Sequence, residues 1–169
     1  MKVVLDTSAI IDGEFTRLLE KSDKAKFSAI IIPVAVLDEL QSQASTNREH
    51  GFVGLNEIKK IRELCEIMEI ELRFAGKRPS LDDIRLANHG RIDAIINDLA
   101  LIEDATLVTA DYVQARVAEA YGIRTWHIPQ PAVNSSLIIE KYFDEHTMSV
   151  HMKEGILPVA KRGVPGNFR

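Results

Sequence analysis

Cys65 is the only cysteine in this chain, so an internal disulfide framework is excluded. Its solitude fits a reducing, cytoplasmic setting. It falls in the apolar series Ile58, Ile61, Leu64, Cys65 and Met68, which reads as the buried face of a helix rather than a reactive site. No apolar run approaches the length needed to span a bilayer, so no membrane association is expected. Met1-Lys2 leads straight into Val3-Val4-Leu5, without the basic and apolar regions of a secretory leader. No GxxxxGK[ST] stretch occurs, which excludes a P-loop ATPase core in these residues. Aromatic residues make up only 6% of the chain, too few to suggest a base-stacking platform. An excess of positive charge is also lacking. A net charge of −4 argues against a broad phosphate-tracking surface. It does not argue against an acidic metal site, where bound cations offset the carboxylates.

What the chain has instead is acid at strand ends. Val3-Val4-Leu5 stops abruptly at Asp6, followed by Thr7 and Ser8. Comparable junctions carry Glu39 in VLDEL, Asp93 in GRIDAII and Asp111 in LVTADY. Open α/β sheets bind ligands beyond the carboxyl ends of their strands. Four carboxylates gathered there would form a hard, oxygen-rich site of the kind that holds Mg²⁺ or Mn²⁺ for phosphodiester chemistry. Each acid also has a plain structural reading. Asp6 and Asp111 suit helix N-caps, a role open to Thr7 and Ser8 as well. Asp93 suits the first turn of a helix, where the dipole favours negative charge. Glu39 borders the apolar stripe of its helix, whereas neighbouring Asp38 reads as solvated. Asp98, about one turn beyond Asp93, is a further candidate near the site.

The chain alternates strand and helix patterns as far as Pro129, which predicts an α/β domain with a parallel sheet and right-handed crossovers over residues 1–130. Expected strands are Lys2 to Leu5, Ala29 to Ile32, Glu71 to Phe74 (an edge), Thr106 to Thr109 and Arg124 to Ile128. Pro33 suits the first position of the next helix. Asn47 to Gly51 reads as a polar loop, and Ser80 with Asp83 as a capping box. Residues 131–159 form an extension in which Met148 to Lys153 alternates as a strand does. Residues 160–169 read as linker.

In their order, these motifs resemble those of the PIN-domain nucleases. VLDTSAIID resembles the family's opening strand and first acid, IPVAVLDEL the helix with its glutamate, and GRIDAIINDLAL and LVTADY its third and fourth acidic motifs. The resemblance runs from Lys2 to about Ile128. It implies a three-layer α/β/α sandwich, Mg²⁺- or Mn²⁺-dependent cleavage, usually of single-stranded RNA, and a tendency to dimerise. Carried over, the catalytic and metal-binding acids are Asp6, Glu39, Asp93 and Asp111, with Thr109 as a supporting hydroxyl beside Thr7 and Ser8. Asn47-Arg48, GFVGLNEI and YFDEHTMSVHMKEGILPVAKRGVPG also resemble the N-terminal part of archaeal proteins that join a PIN domain to an AAA-type ATPase and a KH domain. That implies further domains beyond residue 169 and assembly as a dimer or ring.

Carboxylates this close repel one another without a cation, and some take up protons. Asp6 and Asp111 are the expected direct ligands. Arg48 and Arg91 are candidate contacts for single-stranded RNA or DNA, and His50 and His89 are further candidates for phosphate. The alternative function is a catalytically silent nucleic-acid-binding or assembly module. A Rossmann-like nucleotide domain is disfavoured because no glycine-rich loop follows the first strand. A receiver-like domain would need a lysine at a later strand end, and none is there.

Overall fold

The computed structural model describes residues 1–23, 26–80, 82–83, 90–129, 138–164 and 166–168. Residues 1–130 and 131–169 form two compact units.

In the first unit, β1 (Lys2–Leu5), β2 (Ala29–Pro33), β3 (Glu71–Ala75), β4 (Thr106–Thr109) and β5 (Thr125–His127) make one sheet in the order β3-β2-β1-β4-β5. Every neighbouring pair is parallel. Parallel strands covered on both faces need apolar residues at every position, not at alternate ones. β1 and β2 meet this demand: Val3, Val4, Leu5, Ile30, Ile31 and Ile32 have no exposed surface. β3, at the edge, is only half buried.

The helices are α1 (Thr7–Ile11), α2 (Glu14–Glu20), α3 (Val34–Ser45), α4 (Glu49–Met68), α5 (Arg91–Ile102) and α6 (Tyr112–Ala120). Chain order moves outward from β1 to β3, then crosses back to β4 and β5. Right-handed crossovers therefore put α1–α4 on one face and α5 and α6 on the other. This is a three-layer α/β/α sandwich. The strand order reverses between β1 and β4, so their carboxyl ends form the topological switch point. Asp6 donates its backbone N–H to the Val108 carbonyl across that junction, at 3.0 Å.

Two local expectations differ from the structure. Pro33 ends β2 and caps α3, one position before the expected first turn. The loop expected over Asn47 to Gly51 is shorter, because α4 already begins at Glu49. Gly51 and Gly54 are not breakers here. They let α4 close on α3: a Cβ at Gly51 would meet the Ala44 backbone nitrogen at 2.3 Å, and one at Gly54 would meet Leu40 Cδ2 at 2.4 Å. The Ser80–Asp83 pair forms as a capping box, with Ser80 N donating to Asp83 Oδ2 at 2.9 Å and Asp83 N to Ser80 Oγ at 3.2 Å. Cys65 is buried, and burial pushes its thiol up to about 11, which leaves it inert as a nucleophile. Among the described residues, no helix is long and apolar enough to cross a membrane.

In the second unit, a 3₁₀ turn (Ile138–Tyr142) precedes β6 (Thr147–Lys153), β7 (Ile156–Val164) and β8 (Asn167–Phe168). β6 and β7 pair as an antiparallel hairpin, with β8 added to β7. Thus residues 160–168, read from sequence as linker, are mostly strand. Their apolar alternation is weak, but they satisfy the backbone groups that β6 would otherwise leave open. Asp144 and Arg162 form an ion pair across the unit.

Candidate functional site

Asp6 follows β1 directly and adopts an extended backbone as the N-cap of α1. An N-cap needs no burial, yet Asp6 is only 3% exposed. Its Oδ2 accepts hydrogen bonds from Ser8 N (3.2 Å), Ser8 Oγ (2.5 Å) and Thr109 Oγ1 (2.9 Å). Gln114, turned so that its amide nitrogen faces the carboxylate, donates to Oδ2 at 2.7 Å and to Oδ1 at 3.2 Å. Ser8 Oγ also accepts from Ala110 N (2.9 Å) and Asp111 N (3.2 Å), which joins the start of α1 to the end of β4. Burial raises the Asp6 pKa, and the hydroxyl and backbone hydrogen bonds oppose that rise.

Glu39 reaches the same place from α3. Thr7 donates to its Oε2 at 2.7 Å, and Gln43, one turn along the helix, donates to Oε1 at 3.3 Å. Burial raises its pKa most, and the negative charge of Asp6 adds to the rise. Asp38 lies outside this arrangement and pairs with Arg78 at 3.2 Å. Asp111 caps α6, accepting from Val113 N at 2.7 Å and Gln114 N at 3.2 Å. Asp93 lies in the first turn of α5 and is half buried. Its pKa is raised to about 6, first by burial and then by repulsion from Asp6, Asp111 and Glu39. The four acids therefore share one electrostatic space, as their positions at neighbouring junctions require.

Among the described residues, no three of the acidic, histidine or cysteine side chains lie ready to enclose a metal ion. The donor set itself is all carboxylate and hydroxyl oxygen, which fits a hard divalent cation such as Mg²⁺ or Mn²⁺ and not a soft one.

The remaining candidates are more dispersed. Asp98 is exposed, and it lines the cleft between α5 and α6 together with Asp93 and Asp111. Arg91 is bound to Asp83 at 2.6 Å. Arg48 is the exposed N-cap of α4, and His50 lies exposed in the first turn of that helix. His89 lies outside the described residues. Two polar residues escaped the sequence reading. Gln114 occupies the capping-box position three residues after Asp111, but it serves Asp6 instead. Asn97, four residues after Asp93, shares that acid's helix face more closely than Asp98 does. Asn97 is only 4% exposed.

Known proteins resemble this chain in sequence and in fold. The family model for the PIN domain matches residues 3–120. The chain is 42% identical, over 99% of its length, to an uncharacterised KH and PIN-domain-containing protein of Methanocaldococcus jannaschii, of which it covers 26%. It is 30% identical, over 97% of its length, to the Holliday junction branch migration ATPase PINA of Sulfolobus acidocaldarius, of which it covers 30%. The chain thus spans less than a third of either relative. A solved domain of a functionally unknown protein from M. jannaschii superposes with a TM-score of 0.72 at 37% identity, covering 81% of this chain and 97% of that one. With its order of acidic motifs, its sheet topology and a family match across most of its length, this chain belongs to the PIN-domain family.

Proposed function

We propose that the chain is a divalent-metal-dependent nuclease module that cleaves single-stranded RNA or DNA at Asp6, Glu39, Asp93 and Asp111. The observation that carries this reading is Asp6. It is buried, it is surrounded by hydroxyl and amide donors, and three further acids bear on the same space. A structural cap has no need of that company. A divalent ion held by these carboxylates would neutralise charge at a phosphodiester and lower the pKa of water. Asp6 and Asp111 would hold it, and Glu39 and Asp93 would complete the site or orient water. Thr7 and Gln43 hold the Glu39 carboxylate, while Thr109, Ser8 and Gln114 hold that of Asp6. Donors placed in this way fix which oxygen lone pairs remain for a cation. Arg48 can meet the flanking phosphates directly. Arg91 can do so with the guanidinium N–H groups that Asp83 leaves free.

The relatives' names, with KH, PIN and a branch-migration ATPase among them, support placing this module within a larger nucleic-acid-remodelling protein. In that setting a silent site would leave an assembly or binding role. The deciding experiment is cleavage of single-stranded RNA and DNA with Mn²⁺ or Mg²⁺, with EDTA, and with Asp6→Asn. The proposal expects cleavage that EDTA stops, added metal restores and Asp6→Asn lacks. Calorimetric Mn²⁺ binding that is unchanged in both Asp6→Asn and Asp111→Asn would remove the metal site.

A further inference from the structure

We propose that the cleft running from the acids along α5 and α6 is a base-recognition subsite, in which Asn97 reads the nucleobase and Tyr121 stacks on it. This inference rests on the nucleolytic reading above. The cleft encloses about 370 Å³, within the usual range for small-ligand sites. Asp93 and Asp111 line it near the N-termini of the two helices, and Leu101 and Tyr121 line it near their C-termini. Ten residues separate Asp111 from Tyr121, which is about 15 Å of helical rise.

Three observations select the occupant. First, among the described residues no lysine or arginine lines the cleft, whereas Asp93, Asp98 and Asp111 do. Beside those acids a phosphate would be repelled, but a neutral base would not suffer that repulsion. Second, the walls are apolar and open to solvent: Leu101, Val117 and Tyr121 are 49%, 43% and 69% exposed. The ring of Tyr112 is engaged by His127 and Arg116. Tyr121 has no ring or cation contact among the described residues and offers a free face. Third, Asn97 is buried at the cleft, and among the described residues its Oδ1 accepts no hydrogen bond. A buried acceptor left open costs stability unless something fills it. The exocyclic amino group of adenine or cytosine supplies the missing donor. Uracil presents an oxygen at the equivalent place.

The test is fluorescence anisotropy of labelled single-stranded oligoadenylate, oligocytidylate and oligouridylate decamers, with Ca²⁺ present and no turnover required. The wild type should prefer the amino-bearing bases over uridine by about tenfold, the value of one hydrogen bond. Asn97→Ser should abolish that preference. Tyr121→Ala should weaken binding of every base about fivefold to tenfold, and Tyr121→Phe should restore it. Tyr121 is exposed, so its variants do not depend on tolerance of a core change. Equal binding of the three oligomers by the wild type would overturn the proposal, and so would unchanged binding in both Asn97→Ser and Tyr121→Ala. If Tyr121→Ala instead lowers the mass per particle without changing RNA affinity, the cleft is a contact between copies and the proposal fails. Calorimetry of Mn²⁺ binding to wild type and Asp6→Asn reports the nuclease reading separately. Retained metal binding with no base preference removes only this subsite.

Discussion

Replacing Asp93 with asparagine should stabilise the protein without metal and weaken it relative to wild type when metal is present. The folded carboxyl of Asp93 titrates at about 6, raised by burial and by Asp6, Asp111 and Glu39. An unfolded aspartate titrates near 3.9, so ionising Asp93 in the folded state costs up to about 3 kcal/mol at about 1.36 kcal/mol per unit. The side chain is only half buried, and solvent screening reduces the expected cost to about 1–1.5 kcal/mol. The positive end of α5 offsets a further part. Because the folded pKa is raised, the penalty is fully present above about pH 6. It fades as pH falls, and it vanishes below about pH 4, where both states are protonated.

Urea unfolding followed by Trp126 fluorescence provides the assay. Trp126 is the only tryptophan and packs against Phe15 and Phe27. In EDTA at pH 7.5, Asp93→Asn should be more stable than wild type by about 1 kcal/mol. At about pH 3.5 that advantage should nearly disappear. In saturating Mn²⁺ the order should reverse, because a ligand that binds only the folded state stabilises it in proportion to its affinity. An Asp93→Asn variant less stable than wild type in EDTA at pH 7.5, or an advantage that does not change with pH, would refute the electrostatic account.

Other expectations follow from single contacts. Gln114→Leu removes the amide donor from Asp6 and should cost about tenfold or more in Mn²⁺ affinity by calorimetry, with the fold intact by circular dichroism. Gly54→Ala places a methyl against Leu40 and should lower stability by about 1–3 kcal/mol in urea unfolding, despite alanine's better helix propensity. A chain ending at Gln130 should still unfold cooperatively yet self-associate less in light scattering. The hairpin it loses exposes Met152, Ile156, Leu157 and Val159, which are apolar surface available for assembly. An unchanged mass per particle would deny the hairpin that role.

Legibility in the sequence followed the strength of each physical demand. β1 and β2 announce themselves because a strand buried on both faces tolerates no polar residue, and Val3–Leu5 and Ile30–Ile32 contain none. The α3–α4 connection is not legible in the sequence, because Gly51 resembles punctuation in isolation. Its reason for being glycine is the Ala44 backbone, which is distant in pattern and close in space. Residues 160–164 hid their strand for a similar cause. Their pairing with β6 is a backbone matter that side-chain alternation need not advertise. At the site, the acids were visible because each ends an apolar run. Gln114 and Asn97 were not, since a polar residue inside an amphipathic helix looks solvated until the neighbouring helix or strand covers it.

The site also shows why the structural and chemical readings of a strand-end aspartate are not rivals. A cap places the carboxylate beside the free N–H groups of a helix, which fixes its direction and favours its ionised form. Asp6 and Asp111 are both held in this way, on either side of the switch point between β1 and β4. Capping aims them at a common space at little entropic cost. Burial makes negative charge costly at Asp6, and also at Glu39 and Asp93, which cap nothing; all three have raised pKa values. The metal-free fold therefore carries an electrostatic strain that hydrogen bonds from Thr7, Ser8, Thr109 and Gln114 only partly relieve. A site built for capping alone would have no reason to accumulate that strain. A site built to receive a divalent cation would, because the repulsion among its acids is the free energy that cation binding releases.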